Sequence, residues 1–210
     1  MRKAAFLLMA LCLSSGCVAE ENPRVQLETS FGDVVVELYA DKAPISVENF
    51  LAYVEQGAYD GPIFHRVIPD FMVQAGGYEP GLKERDSGDP ITNEADNGLK
   101  NTRGTIAMAR MAYIDSARRQ FFINGADNPH LDHGPESCTR EDRRKQQEAS
   151  QKGLYKPLTC KSFGYAVFGE VVDGMDVIDK IETVETATIQ GFANVPVEPV
   201  IIERVTVVES

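Results

Sequence analysis

Short apolar runs, broken every few residues by glycine, asparagine or proline, dominate this chain from residue 25 onward. Residues 25–29 alternate apolar and polar side chains, the period of a half-buried strand. Residues 34–38 are rich in β-branched valine and predict a second strand after a turn at 30–33. Further short runs fall at 63–68, 71–73, 105–109, 121–123, 166–172 and 200–208, with Gly- and Asn-rich loops between them, notably over 76–104. Only two stretches of the domain have helical spacing. Pro44 opens the first, where its missing N–H costs little, and Val47, Phe50, Leu51 and Val54 would face the core before Gly57 ends it. Val177, Ile178 and Ile181 mark the second, over 176–181. The 17 glycines and 11 prolines suit a turn-rich architecture. These patterns predict a mainly all-β barrel or sandwich with two isolated helices.

The first residues stand apart from that pattern. Arg2 and Lys3 precede an apolar run at 4–13, and small Ser14, Ser15 and Gly16 follow. This is the three-part plan of a secretory signal peptide, with an apolar run too short to span a bilayer. Leu13-Ser14-Ser15-Gly16-Cys17 resembles a bacterial lipobox, whose cysteine is lipidated and begins the mature chain, although Ser14 stands where leucine is usual. Ordinary cleavage after Ala19 is the alternative. The expected division is a lipoprotein signal peptide at 1–16, a linker at 17–23 and one domain at 24–210. The expected location is the periplasmic side of the cell envelope, anchored to the membrane through Cys17, or else soluble in the periplasm or secreted. With a formal net charge of −11, the chain is a poor partner for a phosphate backbone, and nucleic-acid binding is not expected.

Of the four cysteines, Cys12 leaves with the leader and Cys17 is the candidate anchor. Cys138 and Cys160 remain, in a compartment where disulfides persist. They flank a segment, 135–162, that reads as an insertion with seven Lys and Arg against four Asp and Glu. Thr139 can cap a helix running to Lys152, with Gly153 ending it. Such a helix is about 20 Å long, and residues 153–159 can span roughly 23 Å extended, so Cys160 can return to Cys138. A bond there would add about 3 kcal/mol; two unpaired thiols in a loop is the other possibility.

Several short motifs carry more information than periodicity does. Phe64-His65-Arg66-Val67-Ile68-Pro69-Asp70-Phe71-Met72-Val73-Gln74 resembles the signature of cyclophilin-type peptidyl-prolyl isomerases. Asn93-Glu94-Ala95-Asp96-Asn97-Gly98-Leu99 and Arg103-Gly104-Thr105-Ile106-Ala107-Met108-Ala109-Arg110 resemble the bacterial branch. Gln120-Phe121-Phe122-Ile123-Asn124, Val167-Phe168-Gly169 and Gly174-Met175-Asp176-Val177-Ile178 continue it in the same order. The resemblance covers about 25–208 apart from 135–162. It implies a closed eight-stranded antiparallel β-barrel capped by two α-helices, here with a disulfide-closed helical insertion, and a substrate groove on the outer face.

The resemblance also implies a reaction: rotation about X–Pro bonds of exported polypeptides. No covalent bond breaks, so no cofactor, metal or nucleophile is required. Arg66 would be the catalytic donor to the prolyl nitrogen, with Gln74 orienting it and gripping the substrate carbonyl. Phe71, Met72, Phe122 and Leu131 match the apolar pocket for the pyrrolidine ring. Ala109 and Gln120 match positions lining the groove, the backbone at Arg110 would pair with the extended peptide, and Tyr165 completes the binding set. The expected partners are proline-containing polypeptides of the cell envelope, bound by a monomer. The rival reading is a prolyl-peptide-binding chaperone or assembly module with little catalysis.

Departures from the family pattern are also visible. His130 stands where many relatives carry an aromatic that contacts cyclosporin, and Tyr165 where many carry histidine; both weigh against tight cyclosporin binding. Arg119 and Ala75 stand where smaller residues are common. Arg110, Arg118 and Arg119 lie in motifs near the groove and predict a preference for acidic residues upstream of the proline. His130 and His133 with Asp132 between them fall short of a zinc set, which needs three or four ligands. For His65 a structural hydrogen bond is expected.

Overall fold

The computed structural model describes residues 22–154 and 162–208. The chain enters as a hairpin, β1 (Arg24–Thr29) and β2 (Gly32–Leu38), in which Val25, Leu27, Val34, Val36 and Leu38 alternate into the core. α1 (Pro44–Glu55) follows, burying Val47, Phe50 and Val54. Its first turn lacks a side-chain cap of its own. Glu94, distant in sequence, accepts the Ile45 and Ser46 N–H groups at 3.1 and 2.8 Å, an anion where the helix dipole favours one.

The outer hairpin, β3 (Arg66–Ile68) and β4 (Met72–Ala75), is followed by β5 (Thr105–Met108) and β6 (Phe121–Asn124). The insertion forms α2 (Arg140–Gln151), and β7 (Val167–Asp173) leads into α3 (Met175–Glu182). Gly174, at φ +84°, makes that entry possible: a Cβ there would collide with the Asp33 carbonyl. A small hairpin, β8 (Thr186–Ile189) and β9 (Phe192–Pro196), precedes the last strand, β10 (Ile202–Val208). The sequence reading missed this hairpin.

Eight strands make one antiparallel sheet in the order β10-β1-β2-β7-β5-β6-β4-β3. The expectation of a closed barrel is corrected here. The sheet curls without closing, because its edge strands β3 and β10 share no ladder. A lone bridge, Ile63 to Ile201, crosses the seam among the described residues, with backbone bonds such as Gly61 N–H to Ile202 O beside it. Pro62 and Pro199 flank the bridge without an N–H to extend it, and Pro69 cuts β3 to three residues. Among the described residues two helices, α1 and α3, cover the sheet, and α2 is a third. Phe50, Tyr59, Phe121 and Phe168 fill the concave side, with ring centroids of Phe50 4.9 to 5.5 Å from the other three.

The insertion begins as expected. Thr139 and Asp142 form a reciprocal cap: the Asp142 N–H donates to Thr139 Oγ1 and the Thr139 N–H donates to Asp142 Oδ2. Cys138 is fully buried. Its expected partner Cys160, like Cys17 and the whole of 1–16, lies outside the described residues. Among the described residues no helix is long and apolar enough to cross a membrane.

Candidate active site

Strand alternation builds the site. Along β4 and β6, Val73, Ala75, Phe121 and Ile123 point into the main core. Met72, Gln74 and Phe122 therefore point to the opposite, convex face. There Met72 and Phe122 join Ala107, Leu131 and Val167 in a second apolar cluster, with Phe71, Ala109 and Tyr165 at its margin. Arg66 pairs with Gln74 across the β3–β4 hairpin, and Gln74 with Phe122 across β4–β6. The two polar side chains thus arrive on the face that carries the apolar ones.

The result is a cleft of about 200 Å³. Phe71, Met72, Phe122 and Leu131 supply its apolar surface, Ala109, Arg110 and Tyr165 its wall, and Arg66 and Gln74 its polar edge. Pockets that take whole drug-sized ligands run to about 300–1,000 Å³, so this one suits a single ring. Phe122 is 4 % exposed and meets Tyr165 edge-on at 5.7 Å. His130 stacks on Phe71 at 5.6 Å.

Arg66 Nη1 donates to Gln74 Oε1 at a long 3.4 Å, and Gln74 Nε2 donates to Gln120 Oε1 at 2.9 Å. Gln120 lies in a neighbouring cleft of about 150 Å³ that shares Gln74, Ala109 and Arg110 with the first. His65 lies buried behind this pair, with its Nδ1 unpartnered. Only 5 % exposed, it is pushed down to about 4, first by burial and then by the Arg66 charge, against opposite pulls from the Ile63 backbone and the Gln120 side chain. Its imidazole is neutral at pH 7.

Arg119, like Arg118, lines the neighbouring cleft and not the apolar one. It is 5 % exposed, and its guanidinium donates to the carbonyls of Gly76 at 2.7 Å, Asp86 at 2.6 Å and Ala58. Arg118 is likewise engaged by the Gly88 carbonyl. Of the three arginines expected to bias the groove, Arg110 alone lines the apolar cleft.

Two supports went unseen in the sequence. Asn128 Nδ2 donates to the Phe71 carbonyl at 2.9 Å and to Asn124 Oδ1 at 2.8 Å, tying the loop that carries Phe71 to the short turn that carries Leu131. Behind the same loop lies Glu182, 8 % exposed, packed where a Cβ on Gly125 would be. Its Oε1 has no hydrogen-bond partner. Burial first, then the Asp179 and Asp70 charges, raise its pKa, with Arg103 and the Phe71 backbone opposing. A carboxyl raised in the folded state is stabilising while protonated, and that contribution is lost as pH climbs from about the ordinary 4.5 through the folded value. Glu182→Gln therefore raises the melting temperature at pH 7 by roughly 2–4 °C, the equivalent of about 1 kcal/mol, and by less at pH 4. Thermal melts at both pH values read this; a lower melting temperature at pH 7 contradicts it.

The two imidazoles of the 130–133 segment are engaged separately, His130 on Phe71 and His133 through Nδ1 at 2.8 Å from the Phe163 carbonyl.

A family model described as cyclophilin type peptidyl-prolyl cis-trans isomerase matches residues 24–207. A peptidyl-prolyl cis-trans isomerase of Acinetobacter baylyi is 46% identical over 200 residues, covering 95% of this chain and 92% of its own. Peptidyl-prolyl cis-trans isomerase B of Escherichia coli is 48% identical over 185 residues, covering 88% and 99%. The solved structure of a cyclophilin type isomerase from Cryptosporidium parvum, determined in the presence of the dipeptide Ala-Pro, aligns with a TM-score of 0.67 at 22% identity. It covers 89% of this chain and 99% of that one, a likeness of fold.

Proposed function

The chain belongs to the cyclophilin-type peptidyl-prolyl cis-trans isomerases and is an enzyme of that activity, and we propose that Arg66 drives its reaction by donating to the prolyl nitrogen. Proline-containing peptides are the substrates this family takes. The barrier to be lowered is the resonance of the amide C–N bond, about 18–20 kcal/mol. In the twisted state that resonance is lost and the nitrogen lone pair becomes an acceptor. A donor aimed at the nitrogen is thus stronger at the top of the barrier than in either planar isomer, which is the condition for catalysis rather than mere binding. A guanidinium suits this, since it is permanently charged and donates from a planar fork. A million-fold acceleration corresponds to about 8 kcal/mol.

One observation carries the reading: Arg66 stands beside Gln74 at the polar edge of an apolar cleft sized for one ring. The pyrrolidine ring would lie against Phe122, Met72 and Leu131. Gln74 would hold the preceding carbonyl while its link to Gln120 fixes its orientation. A protease-coupled assay on an X-Pro peptide tests the assignment. Turnover by the wild-type protein that Arg66→Ala lacks supports it, whereas peptide binding without acceleration favours the binding-module reading.

The setting of the activity belongs to the same proposal. The 1–16 pattern and Cys17 support a lipid-anchored enzyme facing the periplasm, where slow X–Pro steps limit folding. The buried Cys138 and the reach of the chain support a disulfide to Cys160. Intact mass of the protein extracted from membranes, before and after reduction and thiol alkylation, reads both. The account predicts a diacylglyceryl-modified Cys17 and two cysteines that alkylate only after reduction; an unlipidated chain, or thiols that alkylate at once, contradicts the respective part.

A further inference from the structure

The insertion carries a side chain that the isomerase reading leaves without a task. Arg140 opens α2 and reaches back to the body of the domain. Its Nη1 donates to Asp115 Oδ1 at 2.5 Å, its Nη2 donates to the Asn93 carbonyl, and its guanidinium lies 4.9 Å from the centre of the Phe163 ring. Asp115 and Asn93 are themselves joined, since the Asn93 N–H donates to the same carboxylate oxygen at 2.9 Å. Phe163 packs with Ala95, Ile114 and Ala166 in a buried cluster separate from the main core. One guanidinium thus fastens together the segments around Asn93, Asp115 and Phe163, which are far apart in sequence.

These segments continue into the cleft. Asn93, 3 % exposed, donates from Nδ2 to the Gly164 carbonyl at 3.1 Å, and that carbonyl also accepts Arg110 Nε at 2.9 Å. Arg110 Nη1 is taken by the Met111 carbonyl, which leaves the guanidinium over the Tyr165 ring, 4.5 Å from its centre. Tyr165 in turn meets Phe122 of the apolar floor. On its other side the segment lies against the loop of Leu131. The Tyr165 N–H donates to the Leu131 carbonyl at 2.9 Å, and a Cβ on Gly164 would collide with the Asp132 and His133 backbone. A shift of the partners of Arg140 therefore reaches the wall of the proline cleft through bonded and closely packed neighbours. An exposed ion pair on its own is worth little, and the Arg140 side chain is 40 % exposed. Here the same fork also holds a backbone carbonyl and covers an aromatic ring, contacts that a planar guanidinium makes together.

We propose that Arg140 is a positioning residue for the isomerase, which from the insertion braces the Arg110–Tyr165 wall of the cleft in the geometry that receives the proline ring. The proposal rests on the isomerase reading, because the cleft that is braced is the one assigned to that ring. It gives the insertion a part in substrate binding without requiring it to touch the substrate.

The test compares the full-length wild type with Arg140→Ala and with Arg140→Met, which keeps an apolar stem over Phe163 and so retains the fold. NMR titration with an X-Pro peptide gives the dissociation constant, the protease-coupled assay gives KM and kcat, and thermal melts give stability. Both variants should weaken binding and raise KM by about three- to tenfold. Their kcat should stay within about twofold of the parent, because Arg66 and Gln74 stand on the β3–β4 hairpin, which carries none of the partners of Arg140. Arg144→Ala, which removes an exposed charge of the same helix paired with Glu148, should leave the dissociation constant unchanged. In a Tyr165→Ala background, where the braced ring is gone, Arg140→Ala should add less than about twofold. A purely structural Arg140 would lower the melting temperature and the amount of active enzyme while leaving the dissociation constant and KM alone, and that result overturns the proposal. So does a loss of equal size with and without the Tyr165 ring. If the wild type binds the peptide but does not turn it over, the dissociation constants still decide the brace, and it is the isomerase reading that fails.

Discussion

Arg66→Ala should lose about a hundred- to a thousandfold in kcat/KM on an X-Pro peptide, the loss seen when one donor to a developing acceptor is removed. The fall should sit in kcat, because the proposed seat of the proline ring is the apolar surface of Phe122, Met72 and Leu131, none of which the substitution removes. Arg66→Lys should not restore the rate, since a flexible ammonium is a point charge without the planar fork. Stability should change little. Arg66 is partly exposed and its bond to Gln74 is long, at 3.4 Å, so no buried group is orphaned. A progress curve from the protease-coupled assay and a thermal melt together read the two effects. Near wild-type turnover by the alanine variant contradicts the mechanism.

A comparably large effect is expected in stability, from His65. Its folded pKa of about 4 lies below the ordinary 6.5. Above pH 6.5 both folded and unfolded chains hold the ring neutral. As pH falls from 6.5 toward 4 the unfolded chain takes up a proton that the folded one refuses, so stability declines across that window and levels off below it. The size is on the order of 3 kcal/mol. In His65→Gln this slope is absent. The free energy of unfolding of the two proteins, compared from pH 7.5 down to 4, should therefore converge or cross on the acid side; parallel curves contradict the burial account. Glu182 titrates in the opposite sense, and the comparison between variant and parent removes its contribution. The same neutrality implies that isomerase activity is flat between pH 6 and 8, because the buried His65 beside Arg66 keeps its charge state there.

Much of this was written in local patterns. The alternation at 25–29 and 34–38 became β1 and β2, and the spacing of Val47, Phe50 and Val54 became the buried face of α1. The cleft residues were legible because the motif around Arg66 and the motif around Phe122 lie on strands that pair. What failed was information that local pattern does not hold. Seam closure depends on which strand ends meet across the whole chain, and prolines at 62 and 199 act there. β8 and β9 are short and bury little, so no apolar alternation announced them, and their turn is Gln190-Gly191 rather than a stronger signal. Arg119 lines the neighbouring cleft beside Gln120, but its guanidinium is taken up by distant backbone carbonyls, which sequence adjacency does not announce. His65 and Glu182 matter through partners many residues away.

The central claim is that Arg66 acts on the twisted state and not on the bound planar ones. Exchange NMR on a single X-Pro peptide measures affinity and on-enzyme interconversion in one sample. The account predicts that Arg66→Ala leaves the dissociation constants of the cis and trans isomers close to those of the parent while interconversion on the enzyme slows by about a hundredfold or more. Equal loss in binding and interconversion, or interconversion at the parent rate, would contradict it.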